Sequence, residues 1–281
     1  MGFTINTNVS SLNAMRNLTL NQSAQAKSVE RLSSGMRINR AADDAAGLAI
    51  SEGLKNQVSG LQVAGRNAQD GISLIQTAEG ALTEVHNILN RMRDLTVQAA
   101  NDTNNTESRT AIQTEITALT SELGRIKDST NFNGIQLLDN TALGHTDADT
   151  SASLKVQVGA DAGETIDITL ANVAGTLTTM AALTVDTQAN AAASTTKLDA
   201  AIKSTSDQRA TLGAQQNRLE STSRSIAVSV ENLSSANSRI RDTDMAQEMG
   251  NFTKSQILSQ AATAMLAQAN QMNSGVMSLL Q

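Results

Sequence analysis

The amino-acid sequence predicts a mainly α fold: an elongated antiparallel helical coiled-coil rod or bundle with a small β-hairpin region in the middle of the chain. Apolar residues recur every three or four positions near both ends and through a long stretch between them, which is the spacing of one helical face. Proline is absent, and the 281 residues include three aromatic side chains, all Phe. The core must therefore be built from Ala, Leu, Ile, Val and Met, which suits thin layers between uninterrupted helices.

The first predicted helix covers residues 5–34 and ends at Gly35. Its apolar stripe consists of Ile5, Val9, Leu12, Met15, Leu18, Val29 and Leu32. The spacing lapses over residues 36–47, where Asp43 or Asp44 is expected to cap the next helix, because a carboxylate accepts the free backbone N–H groups of a helix N-terminus. An acid pair for a metal is the alternative, but capping explains both residues without a further partner.

A much longer helix is predicted from the stripe that runs from Leu54 to Ala99 in steps of three or four. At 1.5 Å per residue it is on the order of 70 Å long. Residues 101–105 predict a turn. The next helix has its apolar residues in steps of 4, 3, 4 and 3 at Ile112, Ile116, Leu119, Leu123 and Ile126.

The middle of the chain changes pattern, and we expect a β-hairpin region at about residues 135–185. Residues 131–134 form a turn, and apolar residues alternate with polar ones over 154–158 and 166–170, which predicts two strands. The polar stretches 141–153 and 184–197 are expected to be surface connections. Helical spacing then returns from Leu198 to Ile240.

The last helix is predicted to begin near Met245 and to carry a coiled-coil seam. Its members follow in steps of 4, 3, 4, 3, 4 and 3, a mean of 3.5: Leu258, Ala262, Met265, Ala269, Met272, Val276 and Leu279. That period belongs to a helix lying along a partner helix, and the amino-terminal helix is the expected partner. We therefore predict a terminal domain formed by 1–42 with 243–281, and an outer helical domain formed by 43–242.

The residues that usually carry chemistry are scarce. The chain has no Cys, a net charge of −6 and scattered Lys and Arg, which argues against thiol chemistry and against nucleic acid as the main partner. It has no run of 18 apolar residues and no basic or apolar leader at its start, so no membrane span and no cleaved signal are expected. His86 is interpreted as a helix-edge residue and His145 as a solvated loop residue. No hydrolase, zinc-protease or phosphate-loop motif is present, so we expect no enzyme, no cofactor and no metal.

Four stretches of the sequence together resemble the bacterial flagellins. They are Leu32-Ser-Ser-Gly-Met-Arg-Ile-Asn-Arg-Ala-Ala-Asp-Asp-Ala-Ala-Gly-Leu-Ala-Ile50, Asn131-Phe-Asn-Gly134, Arg239-Ile-Arg-Asp-Thr-Asp244 and Ala264-Met-Leu-Ala-Gln-Ala-Asn270. The resemblance covers about residues 1–140 and 200–281. It implies a short flagellin without large variable outer domains, with the terminal helices lining an inner channel and the long helices forming an outer tube. The resemblance further implies that Asp43 and Asp44 belong to the segment called the spoke, which joins the inner and outer rods of a flagellin subunit.

The resemblance also implies a contact patch and several partners. The stretch Asn90-Arg-Met-Arg-Asp-Leu-Thr-Val-Gln98 is similar to a flagellin patch used in subunit contact and in recognition by the innate-immune flagellin receptor. The positions carried over are Arg91, Leu95 and Glu115, and from the residues alone a solvated helix face is the alternative for Arg91. Implied partners are further copies of the chain, hook-associated and cap proteins, and an export chaperone at the carboxyl-terminal segment. The implied location is the extracellular filament, reached through type III export.

Two functional hypotheses follow. The first is a structural subunit that polymerises into the flagellar filament for swimming motility, with terminal helices that fold on assembly because the end segments bury too little apolar area alone. Head-to-tail contacts with a rotation that does not close would build an open helical tube. The alternative is a flagellin-like hook–filament junction protein that does not polymerise by itself.

Overall fold

The computed structural model describes residues 8–139 and 153–278, and it confirms the predicted class: a mainly helical chain with small antiparallel hairpins in its middle. The helices are α1 (Val9–Ser34), α2 (Ala45–Ala99), α3 (Thr106–Ser129), α4 (Ala174–Ala181), α5 (Gln188–Arg241) and α6 (Met245–Ser278). The strands are β1 (Asn131–Phe132), β2 (Ile135–Gln136), β3 (Ser153–Gln157) and β4 (Thr165–Thr169). His145 and residues 141–152 of the predicted connection at 141–153 lie outside the described residues, and its last residue, Ser153, begins β3.

The chain divides into two compact units. The terminal unit consists of Met1–Gln57 and Asn232–Gln281, and the central unit of Val58–Glu231. Both α2 and α5 contribute residues to each unit. The predicted domain borders at 42/43 and 242/243 stay a prediction.

In the terminal unit, α1 and α6 pair in antiparallel orientation. The amide of Asn8 donates to the carbonyl of Ala269 at 3.0 Å, and at the other end of the pair Arg31 meets Glu248 at 3.6 Å. The segments that follow α1 and precede α6 are joined through their backbones. The N–H of Arg37 donates to the carbonyl of Arg241 at 2.6 Å, and that of Thr243 donates to Gly35 at 3.0 Å.

Local sequence signals set the ends of α1. The side chain of Asn8 accepts the backbone N–H of Ser11 at 3.0 Å, which satisfies one of the unpaired donors of the first turn. Gly35 ends the helix with φ of 71°. A left-handed residue at this position favours glycine, because a Cβ is penalised there.

The central unit has a single apolar core supplied by α2, α3, α5, the hairpins and the segment between β4 and α5. The stripe of α2 is buried from Ile72 to Ala99, and its largest members, such as Leu82 and Leu89, are fully enclosed. Three buried residues of α3 and several of α5 face the same core: Ile112, Ile116, Leu123, Leu198, Leu212 and Leu219.

Each hairpin follows from its turn chemistry. Asn133 and Gly134 both have positive φ, 50° and 81°, between the paired strands β1 and β2. An Asn-Gly pair suits a two-residue turn whose central residues are both left-handed. In the second hairpin, Leu154 pairs with Ile168 and Val156 with Ile166, so the predicted alternation directs one face of β4 into the core.

The prediction that 184–197 is a surface connection is wrong. Val185 and Ala191 are completely buried, and α5 begins at Gln188, ten residues before Leu198. The side chain of Gln113 fixes this segment in place: it donates to the carbonyl of Leu183 at 3.1 Å and accepts the N–H of Val185 at 3.0 Å. The small residues Ala191 and Ser194 are buried here, and the low hydropathy of such residues is the reason that the sequence did not indicate the helix.

Candidate interaction surfaces

The pairing of α1 with α6 uses a different face of α6 from the predicted seam. The buried and half-buried positions of α6 follow in steps of 4, 3, 4, 3, 4 and 3: Glu248, Phe252, Ser255, Ser259, Ala262, Leu266 and Ala269. Of the predicted seam, Ala262 and Ala269 belong to this row. Leu258, Met265 and Met272 are 42%, 66% and 51% exposed, which corrects their assignment to the intramolecular contact.

The same holds for α1. Its less exposed row is also spaced in steps of 3 and 4 and is mostly small or polar: Ser11, Ala14, Leu18, Asn21, Gln25 and Ser28. Val9 and Leu12, which were predicted to face the partner helix, are 65% and 59% exposed. Small side chains let two helices approach closely. The pair forms mainly through small and polar residues, and Leu18, Phe252 and Leu266 are the large apolar members of its rows. Ile5, Leu279 and the side chain of Val276 lie outside the described part of the chain.

The large apolar side chains that remain exposed are concentrated in the terminal unit. Of fifteen such residues among those described, twelve belong to this unit, although the central unit is longer. Eleven of them lie on α1 and α6, and we call them the outward set: Val9, Leu12, Met15, Leu20, Val29, Met245, Met249, Ile257, Leu258, Met265 and Met272. Exposed apolar surface that is contiguous and rimmed by polar residues marks an association site.

Sequence reasoning missed part of this set. Met245, Met249 and Ile257 form a row at separations of 4 and 8 residues that lies beside the predicted seam. The signal was present, because apolar residues occupy two adjacent rows of α6 instead of one. A helix with two apolar rows has more such surface than a single partner helix covers.

The Asp43–Asp44 segment is held by capping and by one ion pair. Asp44 accepts the N–H of Gly47 at 2.9 Å at the start of α2. Asp43 meets the ammonium of Lys27 at 2.8 Å and accepts the N–H groups of Arg40 and Asn39. The bond from Lys27 and then those backbone donors stabilise the charged carboxylate and lower the pKa of Asp43 to about 2. Both carboxylates are thereby engaged by groups of the chain itself.

The three residues of the implied contact patch separate into two classes. Arg91 on α2 and Glu115 on α3 form an exposed ion pair, with guanidinium-to-carboxylate distances of 2.7 and 3.0 Å. Leu95 is 2% exposed and belongs to the core. In the single chain its side chain packs into the core, and its part in the contact patch stays a prediction.

Within the described part of the chain, no three His, Asp or Glu side chains come together as ligands for a metal ion. Across the same residues, no helix has an apolar stretch that could cross a membrane. His86 is half-buried on α2, and its Nδ1 atom has no hydrogen-bond partner. The features of the described residues that stand out are the exposed apolar surfaces of α1 and α6.

A helical chain that keeps a complete apolar core in one unit and exposes large apolar side chains in the other belongs to the class of proteins that associate with further chains. The "Bacterial flagellin N-terminal helical region" matches residues 5–142, and the "Bacterial flagellin C-terminal helical region" matches residues 195–280. The chain thus belongs to the bacterial flagellin family.

Relatives and solved structures agree with this assignment. The flagellin of Halalkalibacterium halodurans is 49% identical over 279 residues, and that of Bacillus subtilis is 48% identical over 305 residues. In both comparisons 99% of this chain and 99% of the relative are covered. The crystal structure of Bacillus cereus flagellin is 36% identical and superposes with a TM-score of 0.50 over 57% of this chain and 88% of that one. The chain spans nearly the full length of these two relatives, as expected of a short flagellin.

Proposed function

We propose that this flagellin is the structural subunit of a bacterial flagellar filament and that the outward set is the surface through which its terminal unit joins neighbouring copies. The observation that carries the proposal is the exposure of eleven large apolar side chains on α1 and α6. Each apolar side chain stabilises an assembly by roughly 1.5–3 kcal/mol when it passes from water to full burial.

The α1–α6 pair supports a mechanism in which the terminal helices gain most of their stability on assembly. Its contact rows consist largely of Ser, Ala, Asn and Gln, which bury little apolar area. Helix formation without an enclosed apolar face is marginal in water. Neighbouring copies that cover the outward set would supply the missing burial, so order and polymerisation increase together.

The finer assignments belong to this proposal as well. The terminal unit corresponds to the inner-rod domain, for which we propose 1–42 with 243–281, and residues 43–242 form the outer domain. Arg91, Leu95 and Glu115 are proposed as the subunit-contact and receptor patch, with the ion pair of Arg91 and Glu115 as its exposed part. The proposed partners are other copies, hook-associated and cap proteins, the export chaperone at the carboxyl-terminal segment and the innate-immune receptor.

The proposed location is the extracellular filament, reached by export without a cleaved signal peptide. The chain is proposed to have no enzymatic activity. What supports this last point is the absence of a catalytic motif in the sequence, together with the structural role of its family.

Seeded polymerisation tests the function. Purified protein is mixed with short filament fragments, and electron microscopy follows their length. Elongation by the protein alone supports a filament subunit. Fragments that gain a fixed cap and stop growing would instead favour the junction-protein alternative, and a protein that neither elongates nor caps them would contradict both.

A further inference from the structure

The methionines of this chain are distributed unevenly between the two units. Eight of the ten are in the terminal unit, and the other two, Met92 and Met180, are 0% and 1% exposed in the central core. Five of the eight belong to the outward set, with exposed fractions between 48% and 66%: Met15, Met245, Met249, Met265 and Met272. Among the methionine side chains that the structure describes, the five most exposed are therefore on the surface proposed for assembly.

A thioether is the one apolar side-chain group here that mild oxidants attack. A peroxide transfers one oxygen atom to the sulfur: its O–O bond breaks, an S–O bond forms, the sulfur loses two electrons, and water or an alcohol leaves as the reduced product. The sulfoxide is polar and chiral, and it disrupts apolar contacts until a methionine sulfoxide reductase removes the oxygen. Susceptibility follows exposure, so the two core methionines are protected.

We propose that these five methionines are oxidation sites of the unassembled subunit and that their sulfoxidation by peroxide reversibly blocks its addition to a filament. The inference rests on the proposed function, because it assumes that the outward set becomes buried between copies. It adds a chemical consequence: a free subunit is open to oxidation at its assembly surface, whereas a subunit inside a filament shelters the same sulfur atoms.

Leucine replacement separates this role from simple packing. Leu has nearly the volume of Met and tolerates the same apolar surroundings, but it has no sulfur. A protected variant therefore carries the five substitutions M15L, M245L, M249L, M265L and M272L. The matched control carries M92L and M180L, and retains all five exposed sulfur atoms.

The experiment treats each protein with hydrogen peroxide as a monomer and as a preformed filament. Peptide mass spectrometry gives the oxidation rate of each methionine. In the wild-type monomer, the five sites should oxidise at least about tenfold faster than Met92 and Met180, in line with their exposure. In the filament, their rates should fall about tenfold or more.

Assembly is then measured as the critical concentration for filament growth. Peroxide should raise it at least about tenfold for the wild type and the control variant, because polar sulfoxides oppose burial. The critical concentration of the protected variant should stay at that variant's own untreated value, and treatment of oxidised wild type with a sulfoxide reductase should restore growth.

Two results would overturn the inference: oxidised wild type that assembles as well as untreated protein, or a protected variant that loses assembly as fully as the wild type. The untreated arm keeps the two proposals distinct. If the untreated wild type and the untreated control variant fail to elongate seeds, the proposed function fails. If they elongate seeds and only the peroxide results disagree, the oxidation sites alone are refuted.

Discussion

Replacing Leu12 by Ala should weaken filament growth while leaving the free subunit almost unaffected. Leu12 is on α1 and is 59% exposed. Full burial of a Leu side chain is worth roughly 1.5–3 kcal/mol, so the part still open to water represents about 1–2 kcal/mol to be gained on assembly. The Leu12→Ala change forfeits most of that gain in every subunit contact, but it removes little from the monomer.

In concentration units, about 1–2 kcal/mol corresponds to a critical concentration raised roughly 5- to 30-fold. The assay is sedimentation of filaments at a series of total protein concentrations, with the soluble fraction measured at the plateau. Circular dichroism of the monomer accompanies it. We expect unchanged helix content, because Ala is at least as good a helix former as Leu at an exposed position.

Two further variants sharpen this test. Leu12→Met keeps an apolar side chain of similar size and should assemble nearly as well as the wild type. Ala14→Leu changes the row that faces α6, so it should reduce monomer helix content by separating α1 from α6. An unchanged critical concentration for Leu12→Ala, together with normal behaviour of Leu12→Met, would refute the assignment of the outward set to assembly.

Three other substitutions probe the two units. Leu89→Ala empties a site that is 0% exposed in the central core and should destabilise that unit by roughly 2–5 kcal/mol in urea unfolding. Gly47→Ala places a Cβ 2.5 Å from Oδ2 of Asp44 and 2.9 Å from Cδ1 of Ile38. These side chains must move, which weakens the bond between the Asp44 carboxylate and the N–H of residue 47 at the start of α2. We expect a lower melting temperature for the terminal unit, and an unchanged one would contradict the packing. Asp43 has its pKa lowered from 3.8 to about 2 in the folded state by Lys27. Its contribution to stability is therefore present above about pH 4 and is lost as the pH falls through about 2. Asp43→Asn should reduce the loss of terminal-helix content between about pH 4 and pH 2, measured by circular dichroism. A loss identical to that of the wild type would refute the role of the Asp43–Lys27 ion pair in acid stability.

The sequence was most informative where apolar residues are large and regularly spaced. The long stripe ending at Ala99 predicted α2, and the alternation around Ile168 predicted the second hairpin, because burial on one face forces these periods. Gly35 marked the end of α1 correctly, since a left-handed terminal residue favours glycine. In each case one requirement, either burial of a single face or a left-handed backbone conformation, was enough to determine the local structure.

The errors occurred where small residues do the packing. Ala191 and Ser194 are buried in α5, yet a stretch of Ala, Ser and Thr has too little hydropathy contrast to show which face is inside. The choice of rows on α6 failed for a related reason. Hydropathy shows which residues would gain from burial, but not which partner will bury them, and Leu258 and Met265 are exposed in the single chain. The burial of Leu95 agrees with its place in the apolar stripe of α2, whereas its place in a contact patch was implied by the family resemblance and not by the spacing.

These differences have a common physical basis, which bears on how a single subunit can fold and still retain surface for polymerisation. If the large apolar residues of the outward set faced each other across α1 and α6, the terminal unit would bury them without a partner. Contact with other copies would then add little free energy. A contact of mostly small and polar side chains, in which Ala262 is buried, holds the two helices in register. It contributes only modestly to the free energy of folding. The side chains of the outward set then remain exposed and can contact other copies. In the proposed function, their burial supplies the free energy that drives polymerisation. Strengthening the intramolecular pair should therefore favour growth only while the outward set remains exposed.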